Sequence, residues 1–66
     1  MANKVSVVLK ENVYAYDSTY SIEIDGQPIR VSKADFNKIL QTCNYLFPKK
    51  EDKQINPSQK QIKYFS

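Results

Sequence analysis

Five tyrosines, one cysteine and seven carboxylates are the side chains with which this 66-residue chain could do chemistry; it has no histidine. Tyr14, Tyr16 and Tyr20 fall on alternate positions of VYAYDSTYSIEIDG and continue into Ile22 and Ile24. Aromatic rings on a sheet face stack on bases in RNA- and single-strand-binding modules. Such a platform needs cations interleaved with the rings, and here Ala15, Asp17, Ser18 and Thr19 intervene. The same spacing serves equally as one wall of a core, with the hydroxyls reaching its rim. The expectation is core.

Cys43 is expected to be an inert core residue. A catalytic thiolate needs a base or a cation to lower its pKa, and the chain has no histidine to supply one. A lone cysteine also excludes an internal disulfide and a structural zinc site, so no metal and no cofactor are expected. Asp17, Glu23, Asp25, Asp35, Glu51 and Asp52 form no convincing acid–base pair. Asp25 suits a turn, Asp35 suits a helix cap, and Glu51-Asp52 sits among lysines. The chain is therefore expected not to be an enzyme.

Charge is uneven. The net +3 comes almost wholly from residues 48–66, where Lys49, Lys50, Lys53, Lys60 and Lys63 face only Glu51 and Asp52. Such a tail suits phosphates or an acidic protein surface. It holds no arginine for bidentate base reading, so a nucleic-acid contact there would be nonspecific.

The elements that must position these groups follow from periodicity. Val5, Val7 and Leu9 alternate in a first strand, about residues 4–10. A turn at Glu11-Asn12 would set Leu9 opposite Tyr14 and Val7 opposite Tyr16. A second strand then spans about 13–24. Asp25-Gly26 is a strong two-residue hairpin signal. It sets Ile22 against Ile29 and Tyr20 against Val31 in a third strand, about 27–31. Pro28 falls opposite Glu23 and lacks an N–H, so strand three is expected at an edge. Both hairpins place Val5, Val7, Leu9 and the even-numbered residues of strand two on one face. The other face, with Lys4, Ser6, Val8, Lys10, Ala15, Asp17, Glu23 and Arg30, is expected to be mostly solvated.

Ser32 is a good N-cap, with Asp35 three residues on and a Val31–Phe36 staple. A helix over about 33–47 follows, stopped by Pro48. Its Phe36, Ile39, Leu40, Cys43, Leu46 and Phe47 form one apolar stripe. The stretch 48–61 has a single apolar residue, Ile55, and reads as a loop or linker. Residues 62–65 (IKYF) suit a short C-terminal strand that could return to the free edge of strand one.

The sequence thus predicts an α+β fold: a three-stranded antiparallel meander with one helix on one face. Residues 1–48 form the compact βββα domain, and 49–66 a basic segment able to dock as a strand. No stretch reaches the ~18 apolar residues of a membrane span, and the N-terminus is too polar for a signal peptide. A cytoplasmic location is expected. The expected function is a small protein-binding module, a regulator or inhibitor of a larger host protein of the kind phages and mobile elements encode. The partner-binding residues would be Tyr45, Lys38, Gln41, Lys49, Lys50, Lys53, Tyr64 and Phe65. The alternative is a nucleic-acid-binding module using the basic tail and the outer sheet face. A chain this short buries only about 60% of its unfolded surface, so a homo-oligomer also remains open.

Overall fold

A computed structural model describes residues 4–14 and 16–66. Ala15, expected on the outer sheet face, lies outside the described residues. The chain forms β1 (Val5–Val13), β2 (Ser18–Ile24), β3 (Gln27–Val31), α1 (Lys33–Leu46), β4 (Lys49–Asn56) and β5 (Gln59–Phe65). The strands make one antiparallel sheet of five, in the order β3-β2-β1-β5-β4. The α+β class is as expected; three strands become five. Among the described residues, no helix is long and apolar enough to cross a membrane.

The β2–β3 hairpin follows its turn chemistry. Asp25 and Gly26 both have positive φ, 53° and 80°. That is the backbone of a two-residue hairpin turn, which glycine adopts without strain. Ile22 pairs with Ile29, Glu23 with Pro28 and Tyr20 with Val31. Pro28 therefore does lie on an edge strand, the first in the sheet.

The β1–β2 hairpin differs from the expectation. The chain does not turn at Glu11-Asn12. It runs on to Val13 and has reversed by Ser18, with the Tyr14 N–H donating to the Asp17 carbonyl at 3.0 Å. Leu9 consequently pairs with Ile22 rather than Tyr14. The reason is that β1 is paired on both sides: Glu11 stands opposite Tyr20 on one side and Lys60 on the other. The slip spans an even number of residues, so the faces keep their identity even though the partners change. Leu9, Tyr20 and Ile22 still point at the helix. Tyr14 and Tyr16 do not: they belong to the turn and are 54% and 102% exposed. Only Tyr20 of the three tyrosines is core.

A bulge between Val5 and Val7 makes a second correction. Val5 pairs with Phe65 while Val7 pairs with Tyr64. Neighbouring residues of a strand point to opposite faces, so the bulge turns Val5 onto the outer face beside Phe65.

The largest difference is at residues 49–61. The expected loop is strand β4, a turn at Pro57-Ser58, and the start of β5. Ser58 N–H donates to the Asn56 side-chain oxygen at 2.9 Å, and the Asn56 side-chain amide donates to Gln59 Oε1 at 3.0 Å. These bonds satisfy the tight reversal locally. Every residue of β4 is exposed, so it has no dry face and no alternation to betray it. β5 does return to β1, over seven residues rather than four. Both strands of the 49–66 segment thus belong to the sheet.

Helix α1 begins where expected. Asp35 N–H donates to Ser32 Oγ at 3.1 Å, and Phe47 before Pro48 is already extended, with φ −102° and ψ 132°. The helix lies against β2, and at its C-terminal end Asn44 accepts from the Tyr64 hydroxyl of β5. Its stripe meets β1, β2 and β5 in a core of Leu9, Tyr20, Phe36, Cys43, Ile62 and Tyr64, with Val7, Ile22, Val31, Ile39, Leu40 and Phe47 at its margin. Tyr20 and Phe36 pack tilted at 5.0 Å between ring centroids, and Phe47 and Tyr64 at 5.9 Å. Leu46, expected in the stripe, is 62% exposed because it lies at the stripe's edge.

Candidate protein-interaction site

The fold divides the eight expected partner-binding residues into four places. Tyr64 is in the core, with no exposed surface. Its hydroxyl donates to Asn44 Oδ1 at 2.7 Å, which ties β5 to the helix. It is not available to a partner, because β5 lies between β1 and β4 rather than on a docking tail. Tyr45, Lys38 and Gln41 share the solvent side of α1. Tyr45 is 89% exposed, so the β5 segment does not cover it. Lys53 stands farther along β4, opposite Gln61.

Lys49, Lys50 and Phe65 come together. With Pro48 and Glu51 they line an open groove of about 630 Å³ at the start of β4. Register explains the meeting of Phe65 and Lys49, whereas Lys50, opposite Tyr64, belongs to the helix-side face of β4. Phe65 is opposite Val5 on one side and Lys49 on the other. Residues directly opposite each other share a face, so Val5, Phe65 and Lys49 form a row across the outer face. Val5 is exposed and Phe65 half-buried, which leaves apolar surface beside Lys49. Sequence reasoning missed Val5 and Pro48. The bulge that brings Val5 round has no glycine to mark it.

A second, smaller cavity of about 80 Å³ lies under the helix between Leu9, Glu11, Phe36, Asn37, Leu40, Lys60 and Ile62. Glu11 and Lys60 face each other across β1 and β5 at its mouth. Its size suits a water or two rather than a ligand.

The electrostatics of the outer face are mixed. Lys10 Nζ is 2.9 Å from Glu23 Oε2, and Lys63 stands opposite Glu51. Cations and carboxylates interleave there, so among the described residues no continuous basic track crosses the sheet. Cys43 is buried, and that burial pushes its thiol pKa up, away from reactive thiolate. Asp25 and Asp35 occupy the turn and the cap. Among the described residues, no three His, Cys, Asp or Glu side chains group as metal ligands would.

Comparisons with protein-family models, with curated proteins and with solved structures find no match to this chain.

Proposed function

We propose that this chain is a small non-enzymatic protein-binding module that regulates or inhibits a larger protein through the groove at the start of β4. The observation that carries the reading is the convergence of Phe65, Lys49 and Lys50, from two strands, on one open concavity. An apolar floor with a cationic rim suits a protein surface that offers an apolar side chain beside carboxylates. A cytoplasmic partner is consistent with the single reduced cysteine.

The test uses a photo-crosslinking residue at position 49, with position 41 on the far side of the molecule as control. Position 49 should crosslink one partner protein, and the Lys49→Glu/Lys50→Glu variant should lose it while its amide spectrum stays folded. Retention of the partner by that variant would refute the groove.

One observation favours a second reading, nucleic-acid binding. Tyr16 stands wholly in solvent at the β1–β2 turn, with Tyr14 beside it, as stacking residues must. Binding that falls steeply with salt and is lost in Tyr16→Ala would support this reading. The interleaved charges of the outer face place it second.

A further inference from the structure

We infer that the free edge of β3 is a docking strand for an extended acidic–apolar segment of another protein, a contact separate from the β4 groove and independent of it. The argument starts with the backbone. The two-residue turn closes on Ile24 and Gln27, so that pair exchanges hydrogen bonds. Antiparallel pairs alternate, so Ile22–Ile29 and Tyr20–Val31 are bonded inward as well. Pro28 and Arg30 fall between them and direct their polar groups away from β2. β3 ends the sheet, so those groups are free to pair. The edge offers the Pro28 carbonyl and both the N–H and the carbonyl of Arg30.

An antiparallel segment placed there gains three backbone hydrogen bonds. Two join Arg30 to the residue facing it. The third runs from an incoming N–H to the Pro28 carbonyl. The residue facing Arg30 lies on the outer face with the guanidinium, and its neighbours lie on the helix side, opposite Ile29 and Val31. Ile29 is 49% exposed, and Ile24 nearby is also exposed, so the helix leaves this end of the sheet uncovered. Among the described residues, the one ion pair is Lys10 with Glu23, and Arg30 has no carboxylate partner. The fitting sequence is apolar–acidic–apolar in an extended conformation.

A second copy of this chain fits less well. Pairing β3 with itself about Arg30 sets like charges opposite each other, which destabilises a strand pair. Pairing it about Ile29 sets Pro28 where a donor is needed. The net charge of +3 also repels a second copy and favours an acidic partner. Lysine and proline at edges are common devices against self-association, and Pro28 with Arg30 serves that purpose while leaving part of the edge usable.

The probe is a synthetic heptapeptide of alternating valine and threonine with glutamate at its centre, titrated to millimolar concentration into the ¹⁵N-labelled full chain. Saturable shifts confined to Gln27–Ser32, with slowed hydrogen exchange at the Arg30 amide, are expected. Arg30→Glu should weaken the glutamate peptide roughly three- to tenfold, the range of a strand-edge charge pair changed from attraction to repulsion, and a lysine-centred peptide should recover the loss. Lys49→Glu should leave binding unchanged, so a failure here is distinct from a failure at the groove. No shifts at millimolar peptide, shifts centred elsewhere, or equal binding by Arg30→Glu would overturn the proposal. Concentration-dependent self-association through β3 without peptide would also overturn it, in favour of a second copy.

Discussion

Replacing Tyr64 separates what its hydroxyl contributes from what its ring contributes, and it tests whether the 49–66 segment belongs to the core. Tyr64 has no exposed surface, packs on Phe47 and bonds Asn44 through its hydroxyl. Tyr64→Phe removes the hydroxyl and keeps the ring. Asn44 is exposed, so water can take up the acceptor left behind. The cost is then that of one net hydrogen bond, about 1 kcal/mol. For a domain of this size that lowers Tm by roughly 4–8 °C. Tyr64→Ala removes the ring as well, and truncating a buried aromatic costs about 3–5 kcal/mol. A chain of this length has only about 3–10 kcal/mol of stability in all. The alanine variant should therefore lose from about a third to all of that stability, and the phenylalanine variant only a small part of it. Urea titration followed by circular dichroism reads both. An alanine variant within about 1 kcal/mol of the parent would refute the placement of β5 between β1 and β4 with Tyr64 in the core.

The same side chain gives the fold an alkaline limit. Its pKa is pushed up from 10.0 to about 12, by burial foremost and then by Cys43 and Asp52. The folded state thus holds the phenolic proton more tightly than the unfolded state does. That contribution is complete below pH 10.0 and is lost as pH rises toward about 12. Stability should fall across that window, and Tyr64→Phe should flatten the fall. An equally steep decline in the phenylalanine variant would assign the effect to other groups.

Three smaller perturbations follow from local geometry. Gly26→Ala meets no atom within 4 Å, so its cost is backbone strain alone at φ 80°, roughly 1 kcal/mol by urea titration. Ser32→Ala removes the acceptor of the Asp35 N–H and should cost about 1 kcal/mol, with a loss of helical ellipticity on heating. Cys43 should react with a thiol reagent only as fast as the chain opens, so its rate should rise with urea in parallel with unfolding.

Local chemistry made half of this fold legible. Asp25-Gly26, Pro28, Ser32 and Pro48 each allow few backbone conformations, and β3 and α1 lie where those residues put them. The alternation of β1 and β2 gave the faces but not the partners, since a slide by any even number of residues satisfies the same pattern. Glu11-Asn12 is polar and turn-like, yet the pairing of β1 on both sides overrides it. β4 was illegible for a different reason. Alternation arises when one face is dry and the other wet, and KKEDKQIN is wet on both. Its place in the sheet depends on β5, whose Ile62 and Tyr64 are buried. The candidate groove inherits that gap: Lys49, Lys50 and Phe65 could be named from charge and aromaticity, but their meeting depends on the β4–β5 register.

The two edges of the sheet are defended differently, and that difference bears on where a partner can dock. β4 carries Lys49, Lys50, Glu51, Asp52 and Lys53 in succession and buries nothing, so a strand added there would desolvate charge after charge. β3 is guarded only by one missing donor at Pro28 and one cation at Arg30, and apolar Ile29 lies between them. The outer face offers little in the middle, because Val8 is buried there with Glu23 and Lys63 opposite it on either side, and long side chains cover it with their stems. The proposed approach to β4 is at its beginning, where Phe65 and Val5 supply apolar surface beside Lys49. Approach to β3 is favoured along the backbone itself. On the proposed reading, a partner read by side chains would dock at the first, and one read by main-chain hydrogen bonds at the second.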